Sequence, residues 1–218
     1  MKKIFLIISV AVLLGAGCSE RPPSSMEEIK KIQVTEPVTF AAPAAADPND
    51  IYKKSEPSVR PRPASVKPMP GALPPNQLDG KHARIKTDRG DIVIALLGRE
   101  APLAASNFIW LAVQGFYNGL AFHRLEPGFV IQGGDPRGDG TGGPGYTFKD
   151  EPVRLPYRAG TVAMANSGPD TNGSQFFIVL ADQPRLPPRY TIFGTVTDGM
   201  EVVQMMTRGD RMISVTIE

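Results

Sequence analysis

The chain has 218 residues, with 24 Lys/Arg, 22 Asp/Glu and two histidines, giving a formal net charge of +2 at pH 7. Near balance excludes a strongly basic nucleic-acid binder, and a single cysteine excludes an internal disulfide framework. Of the 22 prolines, 12 lie between Arg21 and Pro75, a stretch that cannot bury enough apolar surface to offset its ordering entropy, so the globular part is Asp79–Glu218.

In chain order the first element is a signal. MKKIFLIISVAVLLGAGCSE places Lys2 and Lys3 before an apolar run from Ile4 to Leu14, then small residues and Cys18. This is the three-part plan of a secretory signal, and the run is too short to span a bilayer comfortably. Small residues ahead of the cysteine resemble a bacterial lipobox, with Gly15 in place of its usual Leu. The resemblance implies a lipoprotein signal peptide over residues 1–17 and a lipidated Cys18 as the mature N-terminus. It also implies an exported protein, periplasmic or at the cell surface, anchored to the membrane through that lipid. An ordinary cleaved signal is the alternative.

Residues 18–78 read as a Pro/Ala-rich disordered tether. TFAAPAAADP and RPRPASVKPMPGALPP favour extended polyproline II, and Pro37 stops the one helical stretch, Met26–Val34. A PxxP-type ligand is the alternative to a spacer.

Beyond Asp79 the pattern is β. In HARIKTDRGDIVIALL, Ala83, Ile85 and Thr87 alternate with charges, Arg89-Gly90 turns, and Ile92, Ile94 and Leu96 alternate again, which predicts a hairpin. APLAASNFIWLAVQGF predicts a helix, with Pro102 near its start and Gly115 just past its end. Strands are predicted at Leu120–Arg124, Phe129–Gly133, Gly160–Ala165, Gln175–Leu180 and Tyr190–Val196. A short helix over Gly199–Thr207 and a last strand in DRMISVTIE follow. About eight short strands and two helices predict an all-β fold with minor α, an antiparallel sheet closed into a barrel.

Residues 79–218 carry 14 Lys/Arg against 15 Asp/Glu, and no basic stripe for nucleic acid is visible. Gly138–Gly143 satisfies GxGxxG, yet Pro144 and Gly145 follow instead of a helix, which leaves a surface loop. His82 and His123 have no Cys/His/Asp spacing that would make a metal site. Ser167, Ser174 and His123 lack the elbow and oriented third member of a hydrolase.

FHRLEPGFVIQGGDP, then GTVAMANSGPDTNGSQFFIVL, then YTIFGTV, follow one another in the order and rough spacing of the cyclophilin family. FHR, PGF, QGGDP, GTGG, MAN and NGSQFFI are specific in combination, and the resemblance covers Asp79–Glu218 and none of the N-terminal third. It implies a peptidyl-prolyl cis–trans isomerase on a closed eight-stranded antiparallel barrel capped by two helices. No cofactor, metal or ATP is implied. Arg124 looks like the catalytic arginine and Gln132 like the side chain that binds the substrate backbone. Phe129 and Val130 resemble pocket residues, Ala165 and Asn166 line the groove, Gln175 and Phe177 complete the proline pocket, and Leu186 and Tyr190 flank it. Val130 stands where many relatives have methionine, Tyr190 where they usually have histidine, and Arg185 where cyclosporin-sensitive members have tryptophan. Altered substrate preference and weak cyclosporin binding are therefore expected. The expected partners are proline-containing peptides and unfolded exported proteins, and the expected state is a monomer. The alternative functions are a non-catalytic module or chaperone that grips proline segments, and a lipoprotein whose work lies in the proline-rich arm.

The chemistry expected of such residues follows from the amide. Rotation about an X-Pro bond is slowed by a resonance barrier of roughly 18–20 kcal/mol, and exchange takes about tens of seconds. At the top of the barrier the proline nitrogen becomes pyramidal with a localised lone pair. A fixed donor aimed at that nitrogen binds the twisted amide better than either planar isomer. A guanidinium, always charged and rigidly forked, suits that task better than a flexible, strongly hydrated ammonium.

Overall fold

The computed structural model describes residues 66–218. Cys18, the predicted signal and most of the predicted tether lie outside the described residues.

Alternating burial makes the first hairpin. In β1 (His82–Thr87) Ala83, Ile85 and Thr87 are buried, and in β2 (Asp91–Leu96) Ile92, Ile94 and Leu96 are buried on the same period, with Val93 buried on the other face as well. Thr87 closes the turn, its N–H and hydroxyl both donating to the Gly90 carbonyl, at 2.9 and 2.7 Å. The predicted helix is α2 (Pro102–Val113), preceded by a single turn, α1 (Pro75–Leu78). Pro102 loses nothing at the first turn. The next two amides, of Leu103 and Ala104, each donate to one oxygen of Glu151 at 2.8 Å. At the other end Gly115 has φ 68°. Its N–H reaches Ala112 O at 2.9 Å and Phe116 N–H reaches Leu111 O at 3.0 Å, a Schellman closure that uses the orphan carbonyls of the last turn.

The remaining elements are β3 (Arg124–Glu126), β4 (Val130–Gly133), β5 (Thr161–Met164), β6 (Phe176–Val179), β7 (Ile192–Asp198), α3 (Met200–Met205) and β8 (Met212–Ile217). All pairings are antiparallel, in the order β3-β4-β6-β5-β7-β2-β1-β8. Phe108, on α2, is buried in the main core with Tyr117, Phe122, Phe176 and Phe193. Phe108 stacks on Tyr117 with centroids 4.8 Å apart and meets Phe176 edge-on at 5.4 Å.

Two expectations need correction. The strand predicted at Leu120–Arg124 is displaced, since regular pairing starts only at Arg124. The preceding residues follow the chain just before β8: Phe122 N–H donates to Asp210 O at 2.8 Å and Met212 N–H to Leu120 O at 2.9 Å. For the same reason the barrel is not closed by a ladder. β3 and β8 end a curled sheet, and the gap is bridged by this irregular segment with one isolated pair, Ala121 with Arg211. Packing also reaches N-terminal of Asp79. Leu78 is 2 % exposed, and Val66 and Leu73 rest against the core.

Candidate active site

β3 and β4 form a hairpin in the register Arg124–Gln132, Leu125–Ile131 and Glu126–Val130. Gly128, at φ 72°, makes the turn possible. Directly opposed residues on an antiparallel pair share a face, so Arg124 and Gln132 meet. Arg124 Nη1 donates to Gln132 Oε1 at 3.2 Å. Gln132 Nε2 donates to Gln175 Oε1 at 2.8 Å, and Gln175 Nε2 donates to the carbonyls of Gly140 and Gly142, both at 2.9 Å. The two glycine carbonyls fix which way each amide points. Gln175 must spend its donors on them, which leaves its oxygen for Gln132, whose own oxygen is left for the guanidinium.

Arg124 remains exposed, and its one ion pair among the described residues is with Glu126, Nε to Oε1 at 3.6 Å, between two side chains about half open to solvent. Such a pair holds weakly. Next to it in the chain, His123 is nine-tenths buried, and among the described residues neither ring nitrogen has a hydrogen-bond partner. Burial pushes its imidazole below the ordinary value, Asp135 opposes the shift, and Arg208 and Arg124 reinforce it. The imidazole is thereby biased toward its neutral form.

Beside the arginine lies a second, smaller apolar cluster, apart from the main core. Val130, Ala163, Phe177, Val179, Ile192 and Tyr157 are its buried floor, and Phe129, Ala165, Leu186 and Tyr190 are half-exposed against it. Strand alternation separates the two phenylalanines: Phe176 enters the main core while Phe177 faces this cluster. The Phe177 and Tyr190 rings meet edge-to-face, centroids 5.4 Å apart and planes at 84°. A cavity of about 560 Å³ continues past Gln132, Gln175, Ala165 and Asn166 along residues 140–147. Asn166 turns its side chain to Arg189 O, at 2.9 Å, which leaves its main chain to the groove. Of the ten predicted site residues of the globular part, Arg124, Gln132 and Gln175 share the hydrogen-bond relay, Phe129, Val130, Ala165, Phe177, Leu186 and Tyr190 belong to the apolar cluster, and Asn166 lines the cavity with Ala165, Gln132 and Gln175; Cys18 lies outside the described residues.

Two supporting residues escaped the sequence reading. The Tyr157 hydroxyl donates to Tyr190 O at 2.9 Å and accepts from Tyr190 N–H at 3.0 Å, clamping that ring in place. Gln183 Nε2 donates to Gly128 O at 2.9 Å, tying the loop that carries Leu186 to the β3–β4 turn. Both stand in Pro-flanked, non-periodic stretches where pattern gives no signal.

The arrangement offers an oriented cation at the rim of an apolar hollow, with an extended polar channel alongside. Residues 82–217 match the family described as cyclophilin type peptidyl-prolyl cis-trans isomerase/CLD. A peptidyl-prolyl cis-trans isomerase of Helicobacter pylori (strain ATCC 700392 / 26695) is 47% identical over 138 residues, covering 62% of this chain and 85% of the relative. Peptidyl-prolyl cis-trans isomerase B of Bacillus subtilis (strain 168) is 50% identical over 133 residues, covering 60% of this chain and 93% of the relative. A solved cyclophilin type isomerase of Cryptosporidium parvum superposes with TM-score 0.60 at 36% identity, covering 63% of this chain and 97% of its own. The same protein has been solved in the presence of the dipeptide Ala-Pro. The match across nearly the whole folded part, joined to the groove geometry, means that the chain belongs to the cyclophilin-type peptidyl-prolyl cis-trans isomerases.

Proposed function

We propose that Arg124 is the catalytic side chain of this isomerase, that Gln132 aims it, and that the enzyme serves exported proteins from a lipid anchor at Cys18. The observation that carries the first part is the relay from Gly140 and Gly142 through Gln175 and Gln132 to Arg124, which holds an exposed guanidinium beside the apolar cluster.

The proline ring occupies the hollow formed by Phe129, Phe177, Leu186 and Tyr190, and rotation takes place on the carbonyl side. The guanidinium donates to the proline nitrogen as its lone pair localises. No covalent bond breaks and no proton needs to move. A ten-thousandfold acceleration requires about 5–6 kcal/mol of preferential binding to the twisted amide. One charge-assisted hydrogen bond in a partly dehydrated groove, with the ring held in place, can supply that. Tyr190 keeps a flat ring with a polar tip and changes which residues are preferred next to proline. The exposed Arg185 leaves no aromatic surface at its position for cyclosporin.

Support for the export reading is the N-terminal sequence: two lysines, an apolar run, small residues and the lone cysteine. Metabolic labelling with a fatty-acid analogue tests it. The wild-type chain is expected to carry lipid and to sediment with membranes, and Cys18→Ser to do neither. Equal labelling of both, or a wild-type chain recovered unlipidated in the cytosol, overturns the anchor.

A further inference from the structure

The proline-rich stretch ahead of the isomerase fold is not all spacer. Residues Val66–Leu73 lie along α2, attached at several points. Trp110 Nε1 donates to Lys67 O at 2.8 Å. Leu73 N–H donates to Ser106 Oγ at 2.8 Å, and that hydroxyl donates to Pro102 O at 2.6 Å. Val66 and Leu73 place their side chains against the core. Trp110 stands four positions after Ser106 and three after Asn107, so it shares a side of the helix with each of them. Pro68 and Pro70 have no N–H to satisfy and are already extended, so docking this segment costs little chain entropy.

Asn107 lies between Ser106 and Trp110, the two residues of α2 that hold the strap, and faces the Tyr146 hydroxyl. That hydroxyl donates to Asn107 Oδ1 at 2.8 Å. Asn107 is fully buried, and its Nδ2 donates to Gly173 O at 2.8 Å. Tyr146 and Gly173 both line the groove that Gln132 and Gln175 also line. A chain of contacts therefore runs from the docked segment through α2 to the 140–147 wall of the groove.

We propose that Val66–Leu73 is a strap that positions the groove: by bracing the turn of α2 that carries Asn107 it steadies the Tyr146 anchor of the 140–147 wall, so the grip on peptide beyond the X-Pro pair depends on the strap being docked. Tyr146 and Asn107 are positioning residues here, and the inference rests on the groove being the peptide site. One consequence is that the segment joining the folded part to the rest of the chain reports to the substrate site.

The test uses the full chain and two substrates, an extended peptide with several residues on each side of X-Pro and a blocked X-Pro dipeptide. Trp110→Phe removes the indole donor to the strap, and Tyr146→Phe removes the hydroxyl while keeping the ring. Each is expected to raise KM for the extended peptide about fivefold, with kcat held within about twofold and the dipeptide unaffected. The combined variant is expected to be no worse than the more damaged single one, because both cut the same link. Unchanged KM for the extended peptide in both variants overturns the proposal, as does an equal loss on both substrates. Should a variant fold poorly, hydrogen exchange of the 140–147 amides in the other decides: faster exchange supports the strap and unchanged exchange overturns it. Arg124→Ala, measured alongside, keeps the two ideas separable, because intact turnover there sinks the site assignment whatever the strap variants do.

Discussion

Replacing Gln132 with methionine keeps the length and apolar stem of the side chain and removes both its acceptor and its donor. Arg124 then loses its one side-chain hydrogen bond to an amide, the 3.2 Å contact from Nη1. A hydrogen bond from a charged donor nets about 1.5–3 kcal/mol when shielded, and an exposed pair is worth about 0–1 kcal/mol, so this half-open contact is worth about 1 kcal/mol. What remains is the Glu126 carboxylate at 3.6 Å from Nε on the same strand. The guanidinium is expected to swing toward it and to spend most of its time away from the groove. At about 1.4 kcal/mol per decade of rate, kcat/KM falls about five- to tenfold. Gln175 Oε1 loses its 2.8 Å donor as well, a cost that registers in stability as a small drop in Tm. The assay is NMR exchange or protease-coupled turnover on an X-Pro peptide, with a thermal melt on the same sample. A folded Gln132→Met enzyme within about twofold of wild type would refute the reasoning that the relay aims the arginine.

His123 makes stability depend on pH. A base whose pKa is depressed on folding binds fewer protons folded than unfolded, so stability rises with pH between its folded pKa and about 6.5. Tm measured by calorimetry from about pH 5 to pH 7 is expected to rise, and His123→Phe, which keeps a ring in the same space, to flatten the rise; a steeper rise in the variant contradicts the burial argument. Gly134 stands at φ 83°, and a Cβ there would press on the Ser174 carbonyl. Gly134→Ala is expected to cost about 2–3 kcal/mol in denaturant unfolding, and an unchanged midpoint would show the backbone relaxing freely.

Where periodicity was strong, the fold could be read directly. The alternation in β1 and β2 and the Pro102-to-Gly115 bracket around α2 lie where local chemistry put them. The strand at 120–124 slipped because Leu120 and Phe122 are apolar for the sake of the core, and periodicity cannot tell which partner strand their backbone will follow. Closure of the barrel was overstated for the same reason, since the edge between β3 and β8 is bridged by that irregular segment. The site residues were legible only through family resemblance. No spacing rule brings Arg124, Phe177 and Tyr190 together, because their proximity arises from the β4–β6 pairing and the Tyr157 clamp. Tyr157, Gln183 and Tyr146 lie in loops whose tertiary bonds leave no local pattern. Composition also hid the strap, since Val66–Leu73 reads as one more piece of proline-rich linker until Trp110 and Ser106 are seen to hold it.

The most direct measurement is the exchange rate of an X-Pro peptide by NMR at equal concentrations of wild type, Arg124→Lys and Arg124→Ala. Loss of one aimed donor at the developing lone pair predicts a fall in kcat of about 100-fold or more for Arg124→Ala. Lysine is expected to restore only a small part, since a flexible hydrated charge is not held in the relay. Exchange by a folded Arg124→Ala enzyme at the wild-type rate would contradict the account and leave a domain that binds proline without using its cation.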